Sequence, residues 1–162
     1  MNMSIKSFKT FLFTLMLFMV ICIPVQAADV STPYITVNRN IEQLENGDYI
    51  ETTIYVDTIT ARAASSTSGS KMVEYKNAAG KTMWTVTVKG SFTYTGNSSK
   101  CTSASGSAYS SSSNWKVGAA SASKSGNKAI AKVTATQYMG GTAVGSATKS
   151  VTLTCSPKGV LS

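Results

Sequence analysis

The sequence predicts an all-β, antiparallel fold, either a β-sandwich or a small barrel. Three observations carry this. Trp84, Val86, Val88, Gly90, Phe92 and Tyr94 alternate with Thr85, Thr87, Lys89, Ser91, Thr93 and Thr95. A period of two sustained over a dozen residues marks a long half-buried strand. Turn signals recur at Ala79-Gly80, Gly96-Asn97, Ser125-Gly126-Asn127 and Met139-Gly140-Gly141-Thr142. No stretch beyond the apolar N-terminus shows helical periodicity.

Taken in order, residues 1–27 read as a secretory signal peptide. Lys6 and Lys9 precede an apolar run from Phe11 to Val25, and Val25-Gln26-Ala27 ends on a small residue suited to cleavage before Ala28. The run is shorter than the roughly 20 residues that span a bilayer. The expectation is a secreted, extracellular protein. Lys158-Gly159-Val160-Leu161-Ser162 offers neither an apolar tail nor a wall-sorting pattern, so release is expected.

Residues 28–70 read as an acidic arm. Six acids (Asp29, Glu42, Glu45, Asp48, Glu51, Asp57) stand against Arg39 and Arg62, a formal −4. The turn Leu44-Glu45-Asn46-Gly47-Asp48 is expected to open one strand from Tyr49, with residues 28–40 irregular and residues 61–70 a small-residue linker. Whether that strand joins a sheet is left open by the pattern.

Residues 71–162 read as a basic β-sandwich domain. Eleven lysines meet one acid, Glu74, giving a formal +10, with no Asp and no Arg. Residues 71–78 are expected to pair with the Trp84 strand as a hairpin. Further strands follow at Cys101, at Trp115, Val117 and Ala119, at Ala129, Ala131, Val133 and Ala135, and at Val151, Leu153 and Cys155. Inward positions are often small (Ala119, Ala129, Ala131, Ala135, Ser103), so the core is expected to be thin.

Loss of Cys22 with the signal peptide leaves Cys101 and Cys155. In an exported chain the simplest outcome is one disulfide, with an intermolecular bridge or two free thiols as the alternatives. Trp115 falls between them, an immunoglobulin-like placement.

Catalytic groups are sparse. With no His there is no imidazole base, no Ser-His-Asp triad and no His-ligated metal. Ser-x-x-Lys recurs at Ser68/Lys71, Ser113/Lys116, Ser121/Lys124, Ser125/Lys128 and Ser146/Lys149, but the spacing brings the pair together only on a helix. Ser and Thr total 45 of 162 residues, so composition explains both these hits and the Asn97-Ser98-Ser99 sequon. Paired carboxylates would need the arm to reach Glu74. The sequence predicts no enzyme, no catalytic residue, no metal and no cofactor.

Binding is the remaining class. Tyr109 and Trp115 flank a Ser-rich loop, residues 110–114, and with Lys116, Lys124 and Lys128 are the candidate contacts. The basic balance predicts an anionic wall polymer or a glycan as partner. Nucleic acid is not expected, because the chain reads as exported and lacks an aromatic RNA-binding platform. The alternative is an antimicrobial or membrane-active protein whose residues 129–154 act as a pore-forming-like stem hairpin, the one case in which a membrane surface is the partner.

Residues 81–96, Lys81-Thr82-Met83-Trp84 through Tyr94-Thr95-Gly96, with Cys101-Thr102-Ser103-Ala104-Ser105, Val151-Thr152-Leu153-Thr154-Cys155-Ser156-Pro157 and Leu44-Glu45-Asn46-Gly47-Asp48-Tyr49, resemble small secreted proteins of Gram-positive gut bacteria, an uncharacterised family built on a domain of unknown function. The likeness covers residues 44–162. It implies export, a shared Cys pair and a β fold, and no catalytic residue to carry over.

Overall fold

The computed structural model describes residues 34–57 and 65–162. The expected signal peptide, residues 28–33 of the arm and residues 58–64 lie outside the described residues. Among the described residues there is no helix. Five strands, β1 (Tyr34–Gln43), β2 (Tyr49–Asp57), β3 (Ser66–Lys76), β4 (Thr82–Tyr94) and β5 (Ser99–Ser110), hydrogen-bond in chain order as one antiparallel sheet. Four more, β6 (Trp115–Val117), β7 (Ser121–Ser125), β8 (Lys128–Met139) and β9 (Thr142–Thr154), form a second antiparallel sheet. Its central strand is β8, with β9 along one side and β6 and β7 in succession along the other.

The two sheets make a sandwich, with β4 and β5 over β7 and β8, and β3 and β4 against β9. Neither sheet closes into a barrel. The first sheet is a plain meander, which is not the Greek-key order of the immunoglobulin fold. Its described connections are short, residues 44–48, 77–81 and 95–98, and the β8–β9 hairpin of the second sheet closes on two residues. At Gly140-Gly141, φ is +54° and +84°, the left-handed pair that a type I′ hairpin requires.

The alternation on β4 is the one read from the sequence. Trp84, Val86, Val88, Gly90 and Phe92 are buried, and Lys89 and Thr93 are exposed. Phe92, Leu153, Val86 and Val88 are the largest fully buried side chains after which the core thins to Ala129, Ala131 and Ala135. The sheets come close where β4 and β5 carry glycine. A methyl group on Gly90 would lie 2.8 Å from Ala129 Cβ, and one on Gly106 would lie 3.0 Å from Ala131 Cβ. Small residues therefore meet across the sandwich, and the thin core reflects close approach of the sheets.

Several expectations change. The arm contributes two strands instead of one: residues 34–40, expected to be irregular, belong to β1. Both strands join the sheet, because β2 pairs with β3 from Tyr49/Lys76 to Val56/Gly69. The end of the expected linker, residues 66–70, is strand, with Ser68 and Ser70 buried. Pairing to β2 and β4 on either side outweighs the small-residue signal there. Ser103, expected inside, is exposed, because the β4–β5 register shifts between Ser91 and Phe92 and reverses the alternation. Ala119 is exposed because β6 stops at Val117.

Cys101 and Cys155 are both buried, and in this structure both are free thiols; the expected bridge is not formed. One turn holds the two together. The Cys101 amide donates to Gly126 O at 2.8 Å and the Cys155 amide donates to Asn127 O at 3.0 Å.

Candidate functional site

Charge follows the sheets. Every acid in the described residues lies on or between β1, β2 and β3, and no acid follows Glu74 in the sequence. The acids are largely engaged. Glu51, buried on β2, takes Arg39 Nε at 2.5 Å and Lys76 Nζ at 2.8 Å. Lys76 Nζ also lies 3.3 Å from Glu74, which accepts a hydrogen bond from Thr82 Oγ1 at 3.1 Å. Glu51 and Glu74 are register partners across β2 and β3. The Arg39 hydrogen bond, then that of Lys76, holds the Glu51 carboxyl below its usual range despite burial. Lys76 is held above its ordinary value by Glu51. This approach of two carboxylates, which the sequence allowed only by folding back of the arm, is thus occupied by two cations. Asp48 accepts hydrogen bonds from Tyr75 Oη and the Ala78 amide, tying two turns together.

The lysines beyond Glu74 have a different setting. On β8, Lys128 and Lys132 are exposed, on the face opposite the buried Ala129, Ala131 and Val133. Ser121 and Ser125 on β7 pair with them, as do Ser150 and Thr154 on β9. The outer face of β9 is an unbroken row of hydroxyls at Ser146, Thr148, Ser150, Thr152 and Thr154, and Thr148 shares a 2.9 Å hydrogen bond with Thr134. At one end of the sandwich stand exposed Lys100 near the start of β5, Lys128 at the start of β8 and Lys158 after β9. Backbone hydrogen bonds from Gly96 to Pro157 O and from Cys101 to Gly126 O draw those segments together.

The sequence-predicted contacts divide. Trp115 is half-buried and packs with its ring 5.4 Å from Tyr75 and 6.2 Å from Trp84, so it belongs to the core. Tyr109 is 68% exposed on β5, paired with Thr85 on the outer face of the other sheet. The two aromatics that flank the Ser-rich loop therefore face different ways and form no common platform. Lys116 Nζ lies 4.6 Å from the Tyr138 ring centroid, a cation–π contact. Lys124 donates to Thr102 O at 2.9 Å and bridges the two sheets. Lys128 stands free on the acid-free face. Lys132, Lys100 and Lys158 were not singled out from the sequence. The alternation Lys128-Ala129-Ile130-Ala131-Lys132 contained the signal for Lys132; the tip depends on which turns the fold brings together.

Among the described residues no three His, Cys, Asp or Glu side chains are grouped to hold a metal. Comparison with protein families, curated proteins and solved structures finds no match for this chain.

Proposed function

We propose that the chain is a secreted, non-enzymatic β-sandwich that binds or adheres to an anionic polymer, such as a wall polymer or an acidic glycan. The observation that carries the reading is the outer face of the second sheet and its adjoining tip, where exposed lysines sit among hydroxyls with no Asp or Glu side chain on that sheet to neutralise them. Ammonium groups supply long-range attraction and the Ser/Thr rows supply hydrogen bonds at close range. The acidic side chains of the described residues lie on the first sheet and its turns, Glu51 and Glu74 paired with Arg39 and Lys76, so they do not cancel this field locally. In the secreted protein, Cys101 and Cys155 join as a disulfide; that pairing, the signal peptide and membership of the resembling Gram-positive family are parts of the same reading.

The membrane-active alternative is less favoured. The apolar side of residues 129–154 (Ala129, Ala131, Val133, Val151, Leu153) is already buried in the sandwich, so inserting that hairpin would empty the core. The test of the binding reading is retention on purified Gram-positive cell walls, with and without their anionic polymers, along a salt gradient. Retention on complete walls that is lost as the Debye length shrinks toward about 3 Å at 1 M salt is expected. Equal retention on stripped walls would refute it.

A further inference from the structure

The first sheet has two edges. The β5 edge is covered by β6 and β7, with Lys124 and the Cys101 amide bonding across. The β1 edge is different. All ten residues of β1 are exposed, including Tyr34, Ile35, Val37 and Ile41, each about half exposed. Among the described residues β1 has a ladder partner on one side only. Edge strands are ordinarily protected by lysine, proline, brevity, charge or a bulge; β1 has no lysine or proline and is ten residues long, and its Arg39, its Glu42 and the register shift at Thr36/Asn38 still leave residues 38–43 open.

We propose that β1 pairs antiparallel with β1 of a second copy of this chain, making one continuous ten-stranded sheet with a two-fold axis at Asn40 or Ile41. Polar complementarity within the strand selects this occupant and confines the axis to these two residues. Residues opposite one another must share a face, so the axis passes through a residue. At Arg39 it would set two guanidinium groups opposite each other. Further toward the N-terminus the pairing would run across the register shift between Thr36 and Asn38. At Asn40 the pairing runs from Asn38 to Glu42, short of the bulged Val37, and at Ile41 it runs from Arg39 to Gln43. At Asn40 each Asn38 amide faces the partner's Glu42 carboxylate and each Arg39 faces the partner's Ile41; at Ile41 each Asn40 amide faces the partner's Glu42 and each Arg39 faces the partner's Gln43, so neither axis opposes like charges. The other free edge, β9, carries Lys149 and no acid, so two such edges would repel. One strand pair is smaller than a standard interface of about 1,600 Å², so the dimer is weak and concentration-dependent. A two-fold axis perpendicular to the sheet leaves both lysine faces on the same side of the joined sheet, where a polymer could engage both.

The test uses the full chain in analytical ultracentrifugation up to about 100 µM, a range suited to a weak interface. A monomer–dimer equilibrium is expected, and I41K, which places a lysine opposite the partner's Arg39 or opposite its own copy, weakens it at least tenfold. Ile41 is exposed, so I41K keeps the wild-type melting temperature. N40C or I41C, whichever residue stands on the axis, forms a symmetric cross-link on oxidation, located by peptide mapping, because Cα atoms opposite one another in antiparallel strands lie within disulfide reach. Equal dimerisation of I41K, a strictly monomeric wild type, open-ended oligomers, or cross-linking by V144C on β9 in place of both N40C and I41C would each overturn the proposal.

Discussion

The two buried cysteines give the sharpest single prediction about stability. Cys101 lies near the start of the last strand of one sheet and Cys155 follows the last strand of the other, so a bond between them would staple the sandwich across its layers. In the chain-entropy account, closing a loop of this separation removes about 4 kcal/mol of unfolded-state freedom. At roughly 4 °C per kcal/mol for a domain of this size, reduction should lower the melting temperature by about 15 °C. Burial pushes both thiols above their ordinary values, so thiolate is scarce at neutral pH and the bond is expected to form during folding, not by later attack within the folded chain. The assay has two parts. Alkylation of the denatured, unreduced secreted protein followed by mass measurement should find neither thiol available. Thermal unfolding with and without reductant should show the shift. Two alkylated cysteines, or a melting temperature unmoved by reductant, would refute the reasoning.

Three further outcomes follow from the packing and the charges. Gly90→Ala should cost about 1–3 kcal/mol in denaturant unfolding, because the new methyl meets Ala129 Cβ at 2.8 Å and the Phe92 ring at 2.7 Å. Leu153→Ala, which empties a fully buried site beside Ala129, should cost about 2–5 kcal/mol by the same measure. Glu51 has a folded-state pKa below its unfolded value, so its contribution is present above the unfolded value near 4.3 and disappears as pH falls through the folded one. Stability of wild type should therefore decline on acidification below that range, and Glu51→Gln should flatten the acid limb while lowering stability at pH 7.

Much of the fold is written locally. The β4 alternation, the Gly-centred turns and the Ala-rich inward face of β8 all state their structure in consecutive residues, because period two and positive φ are local demands. What escaped depends on partners. β1 has no strong alternation, and its strand character comes from pairing with β2. Residues 66–70 look like a linker, yet β2 and β4 bracket them and impose extended backbone. The bulge that turns Ser103 outward involves no glycine or proline that would announce it. The candidate site was legible in its charge but not in its membership. Trp115 could not be placed without knowing that Tyr75 and Trp84 stand at the same end of the core. Lys100, Lys128 and Lys158 come to one end of the sandwich only because backbone bonds from Gly96 to Pro157 and from Cys101 to Gly126 draw their segments there.

The central claim is that the acid-free lysine face binds polyanions, and retention on immobilised poly(glycerol phosphate) measures it most directly. Wild type should elute at distinctly higher salt than K128E/K132E, whose exposed substitutions leave the core and melting temperature intact, while K81E near the opposite end should elute close to wild type. Elution of K128E/K132E together with wild type, or passage of wild type without retention at low salt, would contradict the account.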